Sequence, residues 1–294
     1  MNGRCEKCFQ EKTFLPLARN CHLGSQAPLR DLKISCCYLG ENHWPLKLLY
    51  FSPRMKVTVI IPAAGLGTRM APAGKKGAPS KQFFEISGTP IVIHTLRVFA
   101  RNLQISQIVV ALRKNEMERF SRQLEKEKLS EKVRIVEGGE HRQESVANAL
   151  SQLKAAPDDI VLVHDAVRPF VDDEIIANVI HEVERHGAAI AGLPAVDTIK
   201  QVERAAEGAI ITSTIPRERV VQAQTPQGFR YELIKRAFDS AAADGFTGTD
   251  EASLVERLGE SVWVVMGSAR NIKITTPADM ELAEYFIGLS ARGH

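Results

Sequence analysis

The sequence predicts an α/β fold: a mostly parallel sheet with helices on both faces and a protruding β-hairpin arm. Three observations carry this. From Met55 onward, short apolar runs alternate with stretches of helical spacing, the β-α-β-α order of a parallel sheet. Polar and glycine-rich segments fall just after apolar runs: a glycine loop after the first, Gly138-Gly139 after the third, His164-Asp165 after the fourth. Ligands of open α/β sheets bind outside the carboxyl ends of the strands, so loops there make a credible site. Residues 197–225, by contrast, alternate apolar and polar around a turn near Glu207-Gly208, the pattern of an antiparallel hairpin.

Each element has its own justification. Val57–Ile61 is continuously apolar, as a strand buried on both faces should be, and it ends at Pro62. Pro90 suits a helix start, and Ile91–Ala100 carries helical spacing. Ile108–Leu112 is the next strand, followed by the charged helical stretch Asn115–Lys128. Val133–Val136 gives the third strand, and a helix runs from about Gln143 to Ala155 after the glycine pair. Ile160–Val163 is the fourth. Asp172 and Asp173 then stand where a carboxylate caps free N–H groups, opening a helix to about His186. Ala188–Leu193 is the fifth strand. Beyond the hairpin, helices are expected over Tyr231–Ala243 and Asp250–Leu258, a strand over Val262–Met266, a short strand-like "NIKIT", and a closing helix Pro277–Ile287.

Composition narrows the function. Of 294 residues, 44% are hydrophobic and 25% charged, enough apolar material for a real core. A net charge of +3, with scattered basic residues, does not argue for a nucleic-acid partner. No apolar run approaches the roughly 18 residues of a membrane span, so no membrane association and a cytoplasmic protein are expected. All five cysteines (Cys5, Cys8, Cys21, Cys36 and Cys37) fall in the first 37 residues. Cys5 and Cys8 could open a zinc or redox motif, but a second pair at matching spacing is absent. Residues 1–54 lack clear periodicity and read as a non-catalytic extension, with Met55 the expected natural start of a 55–294 catalytic domain.

The chemistry gathers in the post-strand loops. "VIIPAAGLGTRM" brings backbone close to an anion, yet it fits neither of two familiar loops. Met70 replaces the third glycine of a dinucleotide fingerprint, and the lysine-serine ending of a Walker A loop is missing. Arg69, Lys75, Lys76 and Lys81 could neutralise a triphosphate. Lys75 and Lys76 read as solvated, whereas Arg69 and Lys81 bracket the loop. Asp165, at a buried strand end, could hold Mg²⁺. Nearby Arg168 could hold a phosphate through its fork, or simply pair with Asp165. Ser145 could cap its helix, and Lys273 could face solvent or the site edge. His164 reads as structural, because no serine or cysteine nucleophile is arranged around it.

"PAAGLGTRM", "KQF", "EGGEHRQESV", "HDAVRPF", "DTIK", "TPQGF", "TDEAS" and "NIKIT" occur in an order and spacing that resemble the 2-C-methyl-D-erythritol 4-phosphate cytidylyltransferases of the non-mevalonate isoprenoid pathway. The resemblance covers about residues 56–287. It implies a Rossmann-like nucleotidyltransferase fold and transfer of the cytidylyl group of CTP to methylerythritol phosphate, with Mg²⁺ or another divalent cation. Ala63, Ala64, Gly65 and Gly67 would wrap the CTP phosphates. Arg69 and Lys81 would stabilise the pentacoordinate α-phosphate. Gly139, Glu140 and Ser145 match the stretch that reads cytosine, and Asp165 and Arg168 match positions at the sugar phosphate and the metal region. Thr198, Arg217, Thr249 and Lys273 match positions that hold the acceptor, and Arg217 and Lys273 are expected to be catalytic alongside Arg69 and Lys81. In that family the 197–225 arm crosses to a second subunit, which implies a homodimer. Ser80 stands where the family commonly has proline. Two other readings remain open at this stage: a cytidylyltransferase for another polyol phosphate such as ribitol 5-phosphate, and a nucleotide-binding regulator without turnover.

Overall fold

The computed structural model describes residues 32–35, 50–53, 55–65 and 80–292. The chain separates into two compact units, Met1–Arg54 and Met55–His294. In the first, β1 (Leu32–Ser35) pairs antiparallel with β2 (Tyr50–Pro53). The cysteines lie outside the described residues.

The second unit follows the alternating pattern. β3 (Val57–Pro62) leads past a 3-10 turn at Lys81–Phe83 to the short pair β4 (Glu85–Ile86) and β5 (Thr89–Pro90), then α1 (Ile91–Arg101). β6 (Ile105–Leu112), α2 (Lys114–Lys126), β7 (Val133–Glu137), α3 (Arg142–Ser151), β8 (Ile160–Val163), α4 (Asp173–His186) and β9 (Ala188–Pro194) continue it. Asp172 caps α4 by accepting from Ile175 N–H at 2.8 Å, as a short acidic side chain before a helix should. Gly187 ends α4 with a left-handed φ of 87°, a conformation glycine adopts without steric cost.

The hairpin is β10 (Ile199–Ala205) with β11 (Gly208–Ile215), nearly all of it exposed. A 3-10 turn at Arg217–Arg219 returns the chain to β12 (Val221–Arg230). The segment expected as one arm over 197–225 therefore divides: its last five residues, 221–225, open a strand of the central sheet. After β12 come α5 (Tyr231–Ala243), α6 (Glu251–Arg257), β13 (Trp263–Met266) and α7 (Pro277–Arg292). "NIKIT" is irregular backbone rather than a strand, tied in by Ile274 N–H donating to Val167 C=O at 3.0 Å.

The central sheet has the order β13-β9-β12-β8-β3-β6-β7. The pairings β13–β9, β3–β8, β3–β6 and β6–β7 are parallel, and β12 alone runs antiparallel, wedged between β8 and β9. Side-chain alternation along β3 sends Val57, Val59 and Ile61 to one face and Ile60 to the other. The first face is covered by α1, α2 and α4 through Leu96, Phe99, Phe120, Ile176 and Val179. The second is covered by α3, α5 and α6 through Val146, Ile234, Phe238 and Val255. Helices on both faces leave the strand ends as the open edge.

β12 is irregular where it matters. Ala223 pairs with Gly192 and Gln227 with Ile190, so four steps along β12 span two along β9. A bulge of this kind re-aims side chains and is common beside functional sites. Here it releases Gln224 and Thr225 from pairing with β9.

Candidate active site

The glycine loop starts from a rigid seat. Ala63 N–H donates to Ala111 C=O at 2.8 Å, Arg113 Nε donates to Ala64 C=O at 2.7 Å, and Gln82 Nε2 donates to Ala63 C=O. β6, the start of α2 and the 3-10 turn thus all hold it. The turn after β7 closes against it: a Cβ on Gly138 would stand 2.7 Å from Ala64 Cβ, and one on Gly139 would stand 2.3 Å from Glu144 Cβ. Both positions need glycine for close approach. Gly139 N–H and Glu140 N–H donate to Ser145 Oγ (3.1 Å) and Glu144 Oε2 (2.8 Å), so α3 fixes this turn through its own first residues. Gly138→Ala should push the two loops apart and cost roughly tenfold or more in nucleotide affinity, read by calorimetric titration with CTP; an unchanged affinity would contradict the close-approach account.

Asp165, 8% exposed in its side chain, sits among three cations. Lys273 Nζ lies 2.9 Å from Oδ2, Arg168 Nε 3.2 Å from the same oxygen, and Arg142 Nε 3.4 Å from Oδ1. Burial alone pushes the Asp165 carboxyl up, but Arg142, Lys273 and Arg168 together hold it well below the usual carboxylate range. Arg142 also makes a two-pronged contact with Glu251, at 2.7 and 2.9 Å. Burial pushes the Glu251 carboxyl up against the opposing pull of Arg142. The local pairing of Asp165 with Arg168 is thus present, and it is one edge of a larger cluster. Arg168 Nη1 also donates to Asn271 C=O at 2.7 Å, tying the loop after β8 to the segment that carries Lys273.

His164 supports this loop from beneath. It is fully buried, edge-on to Phe99 with ring centroids 4.8 Å apart. Its Nε2 lies 3.0 Å from Arg168 C=O, which only accepts, so Nε2 carries the proton. Nδ1 then accepts from the Thr225 hydroxyl at 3.1 Å, and Thr225 Oγ1 in turn accepts Asp165 N–H at 3.1 Å. Burial pushes the His164 imidazole down to about 4, so it is neutral and structural.

Two cavities open on the cluster. One, of about 270 Å³, is lined by the loop residues 63–65 with Lys81, Ser145, Arg142, Asp165 and Lys273. The other, of about 210 Å³, is lined by Arg168, Gln224, Thr225 and Thr249 with the same Arg142, Asp165 and Lys273. Lys81, Ala63, Ala64, Gly65, Ser145, Asp165, Arg168, Thr249 and Lys273 are therefore brought together. Glu140 is exposed in the turn before α3 and lines neither cavity. Thr198 and Arg217 are exposed on the arm and line neither cavity; Arg217 donates to Val196 C=O at 2.8 Å. Gly67 and Arg69, with Lys75 and Lys76, lie outside the described residues. Arg142, Glu251 and Gln224 are site residues that the sequence reading left without a role. A signal for Arg142 existed: a cation in the first turn of a helix opposes the helix dipole and asks for a reason.

For a divalent cation, Asp165 is the one carboxylate lining the first cavity among the described residues, and cations already face both its oxygens. No group of three or more His, Cys, Asp or Glu side chains is assembled among the described residues. A cage built from protein ligands alone does not fit. A cation that keeps phosphate and water oxygens, as Mg²⁺ does, fits beside a single carboxylate. No helix among the described residues is long and apolar enough to cross a membrane.

Comparisons agree with this geometry. Residues 57–288 match the profile of IspD, 2-C-methyl-D-erythritol 4-phosphate cytidylyltransferase. The enzyme of that name from Acidobacterium capsulatum is 59% identical over 233 residues, covering 79% of this chain and 98% of its own. The Solibacter usitatus enzyme is 53% identical over 236 residues, with 79% and 96% covered. Among solved structures, 4-diphosphocytidyl-2C-methyl-D-erythritol synthase from Anaerococcus prevotii superposes with a TM-score of 0.67 at 28% identity, over 80% of this chain and 96% of that one. The Francisella tularensis cytidylyltransferase gives 0.64 at 33% identity, over 78% and 99%. The charged cleft, the mostly parallel sheet and these likenesses converge: the chain belongs to the 2-C-methyl-D-erythritol 4-phosphate cytidylyltransferase family of nucleotidyltransferase enzymes.

Proposed function

We propose that the chain transfers the cytidylyl group of CTP to 2-C-methyl-D-erythritol 4-phosphate, giving 4-diphosphocytidyl-2-C-methyl-D-erythritol and pyrophosphate, with one substrate in each cavity. The observation that supports this most is the seam: Arg142, Asp165 and Lys273 line both cavities at once. The first, walled by small residues and a loop backbone, suits the nucleotide. The second, with Arg168, Thr249 and Gln224, suits a phosphate bearing hydroxyl groups.

An oxygen of the acceptor phosphate attacks the α-phosphorus; the new O–P bond forms as the bond to the bridging oxygen breaks, and pyrophosphate leaves. A phosphate dianion is an adequate nucleophile, so positioning and charge neutralisation carry the step. Buried, neutral His164 is accordingly no general base. Lys81 and Arg69 stabilise the pentacoordinate phosphorus, and Lys273 orients the acceptor while Asp165 holds Lys273 in place. Mg²⁺ bound to the triphosphate would supply further charge neutralisation, with Asp165 the carboxylate that lines the first cavity among the described residues. Thr198 and Arg217, which line neither cavity of their own chain, serve the partner's acceptor site in a homodimer. Residues 1–54 are non-catalytic, and the protein is cytoplasmic.

Pyrophosphate release from CTP and Mg²⁺ with each acceptor tests the reading. Turnover with ribitol 5-phosphate alone would overturn the acceptor assignment, and silence with both would overturn the enzyme assignment. Lys81→Ala should lower kcat by about 10²–10³, or about 3–4 kcal/mol of transition-state stabilisation. Arg217→Ala should chiefly raise the acceptor KM, and an unchanged KM would remove the arm from the site.

A further inference from the structure

We propose that Arg142 is a catalytic residue of this site, with its Nη2 edge gripping phosphate oxygens at the seam where the two substrates meet. The inference rests on reading the cavities as nucleotide and acceptor sites. Arginine has five N–H donors in a fixed planar fork. Nη1 spends its two on the Glu251 carboxylate, at 2.7 and 2.9 Å, and Nε faces Asp165 Oδ1 at 3.4 Å. Nη2 has no hydrogen-bond partner among the described residues, and the side chain is 30% exposed, lining both cavities.

The anchors explain how this edge is held. Glu251 is 1% exposed, at the first position of α6, and Asp165 is 6% exposed at the end of β8. Two buried carboxylates from different elements therefore lock one guanidinium. Its planarity aims the remaining two donors along a fixed direction. Local helix energetics do not account for the residue, since a cation at the start of α3 opposes the dipole. An orienting shell this deep around a donor with no acceptor among the described residues is the arrangement expected of a preorganised group that waits for charge to arrive. The reacting phosphate is where both substrates bring oxygens together, so the grip completes only when both cavities are filled.

Arg142→Lys tests this with little risk to folding, because a lysine keeps the charge facing Glu251 but loses Nη2. The wild-type enzyme, run alongside with CTP, Mg²⁺ and methylerythritol phosphate, releases pyrophosphate if the two-cavity reading holds; no release would sink that reading first. With wild type active, Arg142→Lys should lose roughly 10²-fold in kcat. The Kd for CTP alone, titrated without acceptor, should change by less than about threefold. Millimolar guanidinium should restore part of the rate of Arg142→Ala. If Arg142 merely pairs with Glu251, lysine substitutes for it and kcat stays within about twofold of wild type; that result, or a loss lying wholly in CTP affinity, overturns the proposal.

Discussion

Asp165→Asn should leave a folded but nearly inactive enzyme, with turnover down roughly 10²-fold and stability down about 2–3 kcal/mol. The side chain barely changes shape, yet the cluster loses its centre. Lys273, Arg168 and Arg142 then face one another around a neutral amide, and each loses an ionic partner. Removing one member of a buried ionic network costs more than the network's net worth, because the remaining charges stay desolvated. The exposure of Lys273, 37% in its side chain, discounts part of that cost, which is why the figure sits below the usual range for a fully buried pair. Urea unfolding reads the stability and steady-state pyrophosphate release reads the rate. An Asp165→Asn enzyme with full stability would show that the three cations do not depend on the carboxylate.

The second large effect is on acid stability. In the folded chain His164 takes a proton only near pH 4, against an ordinary value of 6.5, because burial disfavours the charged ring. The hydrogen bond to Arg168 C=O and the charge of Asp165 pull the other way without reversing it, and the charges of Arg168 and Arg142 add to the lowering. As pH falls below about 6.5 the unfolded chain binds this proton and the folded chain does not, so stability drops until about pH 4. The full interval corresponds to about 3 kcal/mol. Asp165 is a carboxylate held below its usual range, so its contribution is present above the ordinary aspartate range and is lost only as pH falls below that range toward the lowered folded value. The windows are therefore separate: His164 governs the mild acid limb. Denaturant unfolding at about pH 7 and about pH 4.5 should show most of the His164 loss, and His164→Gln should flatten it. A wild-type protein with no slope across that interval would rule out a buried neutral imidazole.

The parallel half of the fold was legible because its strands obey one rule. Val57–Ile61, Ile108–Leu112 and Ile160–Val163 are buried on both faces, so apolar content alone marks them. β12 obeys a different rule and was missed as a sheet strand. Its Gln224, Thr225 and Gln227 are buried yet polar, because they bond to Asn271, His164, Asp250 and neighbouring backbone rather than to a greasy interior. "NIKIT" misled in the other direction. Its alternation looks like a strand, but Asn271 is buried to hydrogen-bond Thr225 C=O and Ile274 to pack on Val167, with no ladder between them. Lys81, Asp165, Arg168 and Lys273 stand out in their motifs, and the structure places all four on the walls of the two cavities. Arg142 and Glu251 were not assigned because their meaning lies in a pairing across 109 positions of sequence, which spacing along the chain does not reveal.

The antiparallel wedge also bears on the order in which the sheet can assemble. β7, β6, β3 and β8 form a contiguous parallel block whose last residue is Val163, so a chain emerging from the ribosome can complete it early. β9 does not touch that block in the sheet; β12 lies between them. Until residues 221–230 have been synthesised, the edge of β8 is bare and β9 has nothing to join. The cavity walls built by residues 63–65, 142–145 and 165–168 can thus take shape before Thr225 and Lys273 are added to them.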